Sequence, residues 1–391
     1  MPMKIAGIIA EYNPFHSGHA HHIRETRRLS GCDYVVVCMA GSFTQRGEAA
    51  CLDKWSRARA ALLCGADAVF ELPALWAVRP ADAFARGGVA ILSGLGCNAL
   101  SFGSESADLS LIGRLAELAQ AEPAELSEAI RTGLAAGKSH ARARGEALAE
   151  HLGVAPELLN APNLILGVEY LRAISELHSP MRPLAVPRVG DYHGAELGEF
   201  ASASAIRAVL ARGEREAALR CVPESAREIL ANAPAMHAPD DLLLHTLRNM
   251  NEGQFAALPG TDEGLDRRLA RCAREAASQA ELIDILKCKR YTRARLTRLC
   301  AHALLGVSKE FLREHPLPVH ARLLGMRTDA RELIAELNAR SALPIVSDPV
   351  KLRDDPVFQL ECRATDLRAL CCDDPASRRA GQEFTQKFVT V

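Results

Sequence analysis

The sequence lacks the long apolar runs of a membrane protein and the charge excess of a general nucleic-acid binder. No apolar stretch approaches the roughly 20 residues that span a bilayer, so no membrane association is expected. Charged Lys4 and Glu11 flank the first short apolar run, which argues against a signal peptide. Because the net charge is only −1, any contact with nucleic acid must come from a local basic surface.

Cysteine pairs with the spacing of a zinc site are also missing. The 12 cysteines are scattered along the chain, and no C-x-x-C motif occurs. Zinc sites usually take ligands from close pairs, and disulfide frameworks belong to short secreted chains. We therefore predict buried thiols in a cytoplasmic protein.

Short apolar runs alternate with helical patterns through the first half of the chain. Four short, mostly apolar runs have the character of buried strands, and a helical pattern follows each of the first three. The runs are residues 5–10, 34–39, 68–72 and 99–102. This order predicts an α/β fold with a Rossmann-like parallel sheet that helices cover on both faces. A helix over 163–177, a strand over 183–189 and a helix from 204 are expected to continue it.

Two changes in composition divide the chain. Residues from about 106 to 160 are rich in Ala, Leu and Glu without a strand pattern, which indicates a helical insertion. From residue 216 the pattern is mainly helical. The sequence therefore predicts a catalytic α/β domain over residues 1–215 and a mainly helical C-terminal domain over residues 216–391.

The loop after the first strand carries the most informative motif. Residues 7–20 read GIIAEYNPFHSGHA, and His16, Gly18 and His19 form an H-x-G-H motif at the start of a helix. Open α/β sheets bind ligands at this edge. Glycine permits close approach of a phosphate, the helix start offers N–H donors, and imidazoles can donate to phosphate oxygens. We predict that both histidines are catalytic; histidines satisfied within the loop are the alternative.

This loop and several longer segments resemble those of the tRNA(Met) cytidine acetate ligases, a family of the H-x-G-H nucleotidyltransferase superfamily. The other matching segments are residues 40–50 (AGSFTQRGEAA), 53–73, 100–105 (LSFGSE), 161–171 (APNLILGVEYL), 186–207 and 288–306. The resemblance implies a Rossmann-like enzyme that activates acetate with ATP, forming acetyl-adenylate and pyrophosphate. It further implies transfer of the acetyl group to the exocyclic amine of the wobble cytidine in elongator tRNA(Met).

The resemblance also implies an ATP site drawn from several parts of the chain. The residues carried over are Gly7, Ile8, Ile9, Ala10, Glu11, Tyr12, Asn13, Pro14, Phe15, His16, Ser17, Gly18, His19, Ala20, Gly103, Asn163 and Arg188. For the last three, the alternatives are a turn glycine, a helix cap and a solvated strand-end arginine. Residues 202–207 (SASAIR) match a serine-rich phosphate motif in part, which makes Ser204 and Arg207 candidate phosphate ligands; Ser204 as an ordinary N-cap is the alternative.

Further cations follow the H-x-G-H loop in the sequence. Lys54 and Arg57 follow Gln45 and Arg46 and add cations that a triphosphate requires, with a solvated helix face as the alternative. The sequence has no D-x-D motif and no cluster of His and Cys ligands. We therefore expect no protein-bound metal, whereas Mg²⁺ can arrive with ATP.

A second concentration of cations lies in the C-terminal half, and we call it the basic segment. Its cations crowd twelve residues without an acid: Lys287, Lys289, Arg290, Arg293, Arg295 and Arg298. Leu296 and Leu299 indicate a buried helix face that anchors the segment, and Tyr291 offers an aromatic ring for stacking on a base. We predict that the basic segment binds tRNA; a solubility face is the alternative.

Three functions compete for this sequence. The first is the acetate-activating tRNA ligase, and the second is a small-molecule adenylyltransferase of the H-x-G-H superfamily. The third is a non-catalytic RNA-binding protein. The intact motif of His16, Gly18 and His19 argues against the third, and the size of the basic C-terminal domain argues against the second.

Overall fold

The protein, in a computed structural model, is described for residues 3–121, 123–138, 140–188 and 200–391. These residues include eight strands: β1 (Ile5–Ala10), β2 (Tyr34–Ala40), β3 (Ala68–Leu72), β4 (Ala99–Ser104), β5 (Arg182–Pro187), β6 (Ala321–Met326), β7 (Ile345–Val346) and β8 (Val389–Thr390). They form one sheet with the strand order β5-β4-β1-β2-β3-β6-β7, in which β8 pairs with β6.

The five strands from β5 to β3 are parallel, which confirms the predicted fold class. Side chains of β1 and β2 alternate between two hydrophobic cores: Ile9 and Val36 pack on one face of the sheet, and Ile8 and Val37 pack on the other. The strand order reverses between β1 and β4. Ligands of such sheets bind at the carboxyl ends of the strands beside this reversal.

The helices of the first half lie between these strands. They are α1 (Ser17–Ser30), α2 (Lys54–Leu63), α3 (Ala74–Ala77), α4 (Ala81–Gly94), α5 (Leu109–Gln120), α6 (Ala124–Ala135), α7 (His140–Leu152), α8 (Pro162–Glu176) and α9 (Ala203–Ala211). Asp53 caps α2 as expected, since its carboxylate accepts from the N–H of Ser56 at 2.8 Å. Between β4 and α8, the described residues form helices and no strand, in line with the composition of residues 106–160.

Helices dominate the second half. They are α10 (Arg215–Arg220), α11 (Glu224–Ala231), α12 (Asp240–Asn249), α13 (Glu252–Ala257), α14 (Leu265–Glu275), α15 (Gln279–Leu286), α16 (Arg293–Leu305), α17 (Lys309–Glu314), α18 (Arg331–Arg340), α19 (Pro356–Leu370) and α20 (Gln382–Thr385). Helices α12 to α16 share a separate hydrophobic core that includes Leu243, Leu269 and Leu299. None of the described helices has the length and apolar character that crossing a membrane requires.

The last part of the chain returns to the sheet. Strand β6 pairs antiparallel with β3, and β8 pairs with β6. The mainly helical unit predicted over residues 216–391 thus also contributes strands to the sheet of the first half. The partner of β6, strand β3, lies some 250 residues earlier in the chain, so no local sequence pattern indicates that the two strands pair. The boundary near residue 215 remains a prediction.

Candidate active site

The loop between β1 and α1 has an unusual backbone that directs the chain into the first helix. Tyr12 has a positive φ of 51°, and the peptide bond between Asn13 and Pro14 is cis. The side chain of Asn13 accepts a hydrogen bond from the N–H of Cys51 at 2.8 Å, which joins the loop to the start of α2. The loop is thereby tied to its surroundings just before His16, the N-cap of α1.

The two histidines of the motif cap α1 and pack against each other. Nδ1 of His16 accepts from the N–H of Gly18 at 3.1 Å, and Nδ1 of His19 accepts from the N–H of His16 at 3.2 Å. The ring centroids lie 3.7 Å apart. Because each Nδ1 is an acceptor, each neutral ring carries its proton on Nε2. Among the described residues, neither Nε2 has a hydrogen-bond partner.

The environment keeps both imidazoles neutral. Burial, and then the nearby charge of Arg188, lower the pKa of His16 to about 3. Burial lowers the pKa of His19 well below its usual value, with further contributions from His16 and Arg188. Both rings are therefore uncharged N–H donors at neutral pH.

Gly18 is required by the cap itself. A Cβ at this position would lie 2.9 Å from Cε1 of His16, so any side chain would displace the imidazole. The expected unpaired donors at the helix start are partly in use: the N–H of Ser17 donates to the carbonyl of Cys221 at 3.0 Å, and that of Gly18 to His16. The chain therefore caps its own helix at these two positions, and the prediction that the helix start offers N–H donors to a phosphate stays a prediction for the rest of the first turn.

The rest of residues 7–20 divides between core and loop. The side chains of Ile8 and Ile9 are buried in the two cores, and a Cβ at Gly7 would lie 2.7 Å from a methyl carbon of Leu92. Phe15 packs beside His19, with centroids 5.6 Å apart. The side chains of Ile8 and Ile9 thus build the scaffold, which leaves the backbone of β1 and the side chains after Ala10 as candidates for contact with ATP.

Two of the remaining candidates meet at the same edge of the sheet. Gly103 lies inside β4, one residue before its end, and its missing Cβ would be 3.6 Å from Cγ of Arg188. Arg188 directly follows β5 and is exposed, and its N–H donates to the carbonyl of Ser104 at 3.1 Å. The charge of Arg188 acts on His16 and His19. Strands β1, β4 and β5 therefore bring the motif, the glycine and the arginine together.

Asn163 is held by an acid that the sequence did not point out. Its amide donates to one carboxylate oxygen of Glu105 at 2.6 Å, and the N–H of Leu164 donates to the other at 2.9 Å. Asn163 is not the cap of α8; Ala161 occupies that position. The LSFGSE segment contained the signal for Glu105, since the acid follows β4 directly.

Arg207 lies against the first loop. Its guanidinium donates to the carbonyl of Asn13 at 2.6 Å and lies 3.5 Å from both Glu48 and Ser204. Ser202, rather than Ser204, caps α9, so Ser204 stays exposed in the first turn. The partial serine-rich motif thus meets the H-x-G-H loop, although residues 189–199 before it lie outside the described residues.

Comparisons with known proteins identify the family. The model of the HIGH Nucleotidyl Transferase family matches residues 3–383. The tRNA(Met) cytidine acetate ligases of Acetivibrio thermocellus and Bacillus subtilis are 34% and 36% identical to this chain. The first alignment covers 100% of both proteins, and the second covers 95% of this chain and 94% of the relative. This chain belongs to the tRNA(Met) cytidine acetate ligase family.

Solved structures agree with this assignment. The crystal structure of Thermotoga maritima TmcAL bound with alpha-thio ATP has 32% sequence identity to this ligase-family chain and a TM-score of 0.87. The apo form of the same protein has a TM-score of 0.89. Both matches cover 100% of each chain, so the correspondence includes the C-terminal helices and the strands that return to the sheet.

Lys54 and Arg57 of this family member are both fully buried, so the alternative of a solvated helix face is wrong for both. The ammonium of Lys54 is fully buried and pairs with Glu71, with Glu361 at 3.2 Å and with Glu383 at 2.5 Å. The guanidinium of Arg57 is also buried and donates to backbone carbonyls, including that of Glu11 at 2.7 Å. The prediction that these cations lie near the phosphates of ATP stays a prediction. Carboxylates balance the charge of Lys54, whereas Arg57 contacts the backbone of Glu11 in the candidate ATP loop.

The three carboxylates around Lys54 form an acidic cluster that local sequence patterns could not show. Glu71, Glu361 and Glu383 are buried within 4.8 Å of one another. Arg322 adds a second cation, 2.9 Å from Glu71 and 2.5 Å from Glu383. The ammonium and guanidinium occupy the positions that a metal ion would need, so the cluster is an ion-pair network that joins β3 and β6 to α2, α19 and α20.

The basic segment is less uniform than its sequence indicated. Lys287 and Lys289 are exposed. Arg290 pairs with Glu263 at 3.2 Å, and Arg293 pairs with Asp284. Tyr291 is only 5% exposed, and the guanidinium of Arg295 lies 5.0 Å from its ring centroid. The expectation that Tyr291 stacks on a base was therefore wrong, because its ring belongs to the core of α12 to α16.

Proposed function

We propose that this chain is an ATP-dependent acetate ligase that modifies tRNA. In this proposal it forms acetyl-adenylate from ATP and acetate, releases pyrophosphate, and acetylates the exocyclic amine of the wobble cytidine of elongator tRNA(Met). The name of its relatives, tRNA(Met) cytidine acetate ligase, supports the overall reaction. The alpha-thio ATP bound to the Thermotoga maritima protein supports ATP as the nucleotide.

Two steps balance the reaction. An acetate oxygen attacks the α-phosphorus of ATP, the bond from that phosphorus to the bridging oxygen breaks, and pyrophosphate leaves. The amine nitrogen of cytidine then attacks the acetyl carbon, AMP leaves with the carboxyl oxygen, and the nitrogen gives up one proton. Mg²⁺ would arrive with ATP and offset phosphate charge.

The paired neutral imidazoles are the observation that carries this proposal. His16 and His19 each keep an Nε2–H, and each ring is held by its own Nδ1 hydrogen bond. Donors fixed before reaction stabilise phosphate charge that grows in the transition state, and each is worth about 100- to 1,000-fold in rate. We assign catalysis to this pair and phosphate contacts to Arg188, Arg207 and Ser204. The remaining ATP contacts fall to residues 7–20, Gly103 and Asn163.

Recognition of tRNA is assigned to the C-terminal helices. The exposed Lys287 and Lys289 are the best placed members of the basic segment to contact phosphates, since neither has an ion-pair partner among the described residues. Arg290, Arg293, Arg295 and Arg298 supply further positive charge from the same segment. We also propose a cytosolic location, which the 12 free thiols support.

The test is a set of omission assays on the purified full chain. Pyrophosphate release is measured with ATP, acetate and total tRNA, each left out in turn, and nucleosides of the tRNA are then analysed by mass spectrometry. We expect release that requires acetate and ATP, and N-acetylcytidine only when tRNA(Met) is present.

The competing functions give different results in the same assays. A small-molecule adenylyltransferase would release pyrophosphate without acetate once its own substrate is added, and would leave cytidine unmodified. A non-catalytic RNA-binding protein would release none. Either result would refute the proposed acetate ligase activity.

A further inference from the structure

Three arginines of α14 form an exposed row in the C-terminal helical unit, and we call it the arginine face. Arg267, Arg271 and Arg274 are spaced at i, i+4 and i+7, so they lie on one side of the helix over about 10 Å of its axis. All three are exposed. Among the described residues, none of them has an ion pair or a hydrogen-bond partner for its guanidinium.

The rest of α14 holds this row firmly in place. Leu265, Leu269 and Cys272 are buried in the core that α12 to α16 share. Arginines at i, i+3 and i+4 of a helix repel one another and destabilise the helix. The row therefore does not serve the fold, and an anion that bridges the three guanidinium groups would relieve the repulsion.

The acids nearest in sequence do not neutralise the row. Glu263, one turn before Arg267, is paired with Arg290 of the basic segment at 3.2 Å. Asp266 and Glu275 lie on α14 itself, and neither is within ion-pair distance of an arginine of the row. The arginine face thus keeps its charge in a chain whose net charge is only −1.

The arginine face continues into the basic segment. Between them, Arg268 donates from α14 to the carbonyl of Ile285 at 2.8 Å, and its charge acts on Cys288, the residue between Lys287 and Lys289. The ion pair of Arg290 with Glu263 forms a second contact between the basic segment and the residues just before α14. The exposed cations of α14 and of residues 287–289 therefore border each other on adjoining elements.

We propose that Arg267, Arg271 and Arg274 bind the phosphate backbone of the RNA substrate, with Lys287 and Lys289 continuing the contact. This rests on the proposed tRNA ligase function and names the surface that holds the RNA. Phosphates of one strand of a nucleic-acid duplex follow each other about every 3.4 Å along its axis, so a row of about 10 Å reaches two or three of them. Arginine presents a planar fork of donors that fits phosphate oxygens.

The test is a triple variant, Arg267→Gln, Arg271→Gln and Arg274→Gln, in the full chain. Binding of tRNA(Met) is followed by filter retention across a salt series. Each lost phosphate contact removes about 0.7–0.9 from the slope of log affinity against log salt, so two or three contacts remove roughly 1.4–2.7. Affinity at 0.1 M salt should fall at least about tenfold. Acetate-dependent pyrophosphate release without tRNA should stay at the wild-type rate.

The matched control removes the same charge elsewhere: Arg59→Gln, Arg331→Gln and Arg379→Gln, at three exposed positions on other parts of the surface. It should bind tRNA with an almost unchanged salt slope. Equal affinity and slope in the α14 variant and the wild type would overturn the arginine face as an RNA surface, and so would equal losses in the variant and the control. If the proposed ligase function is wrong, the wild-type protein itself will form no acetylcytidine. That result is distinct from a failure of the arginine face, which concerns only the tRNA binding of the variant.

Discussion

Replacing Gly18 by alanine tests whether the cap formed by His16 is needed for chemistry. A Cβ at position 18 would lie 2.9 Å from Cε1 and 3.1 Å from Nδ1 of the His16 imidazole. The backbone of Gly18 lies in the first turn of α1 and has no left-handed φ, so alanine fits the main chain. The imidazole is the group that must move.

The structure predicts that the Gly18→Ala substitution changes the free energy of unfolding only slightly but lowers the rate of pyrophosphate release strongly. Loss of the hydrogen bond from the Gly18 N–H to His16 costs about 1 kcal/mol, as for other lost helix caps. Alanine in place of glycine returns up to about 1 kcal/mol of helix propensity. The free energy of unfolding should therefore change by less than about 1 kcal/mol. The rate should fall about 100-fold, because His16 loses its fixed tautomer and position.

The assay pairs acetate-dependent pyrophosphate release without tRNA with urea denaturation. Gly113→Ala is the matched control, since Gly113 lies in α5 and its added Cβ would meet nothing within 4 Å. The control should gain up to about 1 kcal/mol of stability and keep its rate. A Gly18→Ala protein with the wild-type rate would show that the cap is dispensable. A loss of several kcal/mol would show that the imidazole cannot swing aside.

Three more predictions concern the histidine pair, Arg188 and the buried acidic cluster. His16→Ala and His19→Ala should each lower pyrophosphate release about 100-fold or more while urea midpoints stay close to wild type; near-normal release would remove that histidine from catalysis. Arg188→Ala should weaken ATP binding by roughly 1.5–3 kcal/mol in calorimetric titration, the range for a hydrogen bond to a charged group; unchanged affinity would make Arg188 a solvated strand-end residue. Burial, followed by the charge of Glu71, raises the pKa of Glu361 to about 7 from 4.5. The folded protein thus keeps a proton that the unfolded chain releases, so stability should fall by up to about 3 kcal/mol as pH rises from 4.5 to 7; an equally steep fall in Glu361→Gln would contradict this.

Local patterns predicted the part of the fold that is built from neighbours in sequence. The first four strands lie where the apolar runs placed them, because a buried parallel strand must be apolar on both faces. The H-x-G-H loop was also found from sequence, since the order strand, turn and helix is itself a local signal. Strand β4 extends to Ser104, so Gly103 lies inside the strand rather than after it.

Features that depend on distant partners escaped prediction. Lys54 looked like a surface cation because its three carboxylate partners, Glu71, Glu361 and Glu383, lie 17, 307 and 329 residues away along the chain. Tyr291 looked available because nothing local shows the core that covers it. The arginine face of α14 was missed for a different reason: its three cations are interspersed with Leu269 and Cys272, so the row appears only when the helix is formed.

Arg298 differs from the other cations of the basic segment because it contacts the loop around Gln45 and Gly47. Its guanidinium donates to the carbonyl of Gln45 at 3.4 Å, and a Cβ at Gly47 would lie 2.7 Å from Cα of Arg298. The N–H of Gln45 in turn donates to the carboxylate of Glu11 at 2.6 Å, in the loop that leads to His16. Helix α16 therefore supports the candidate active site through one short loop. Loss of activity on replacing Arg298 would not by itself identify an RNA contact, because the same change removes that support.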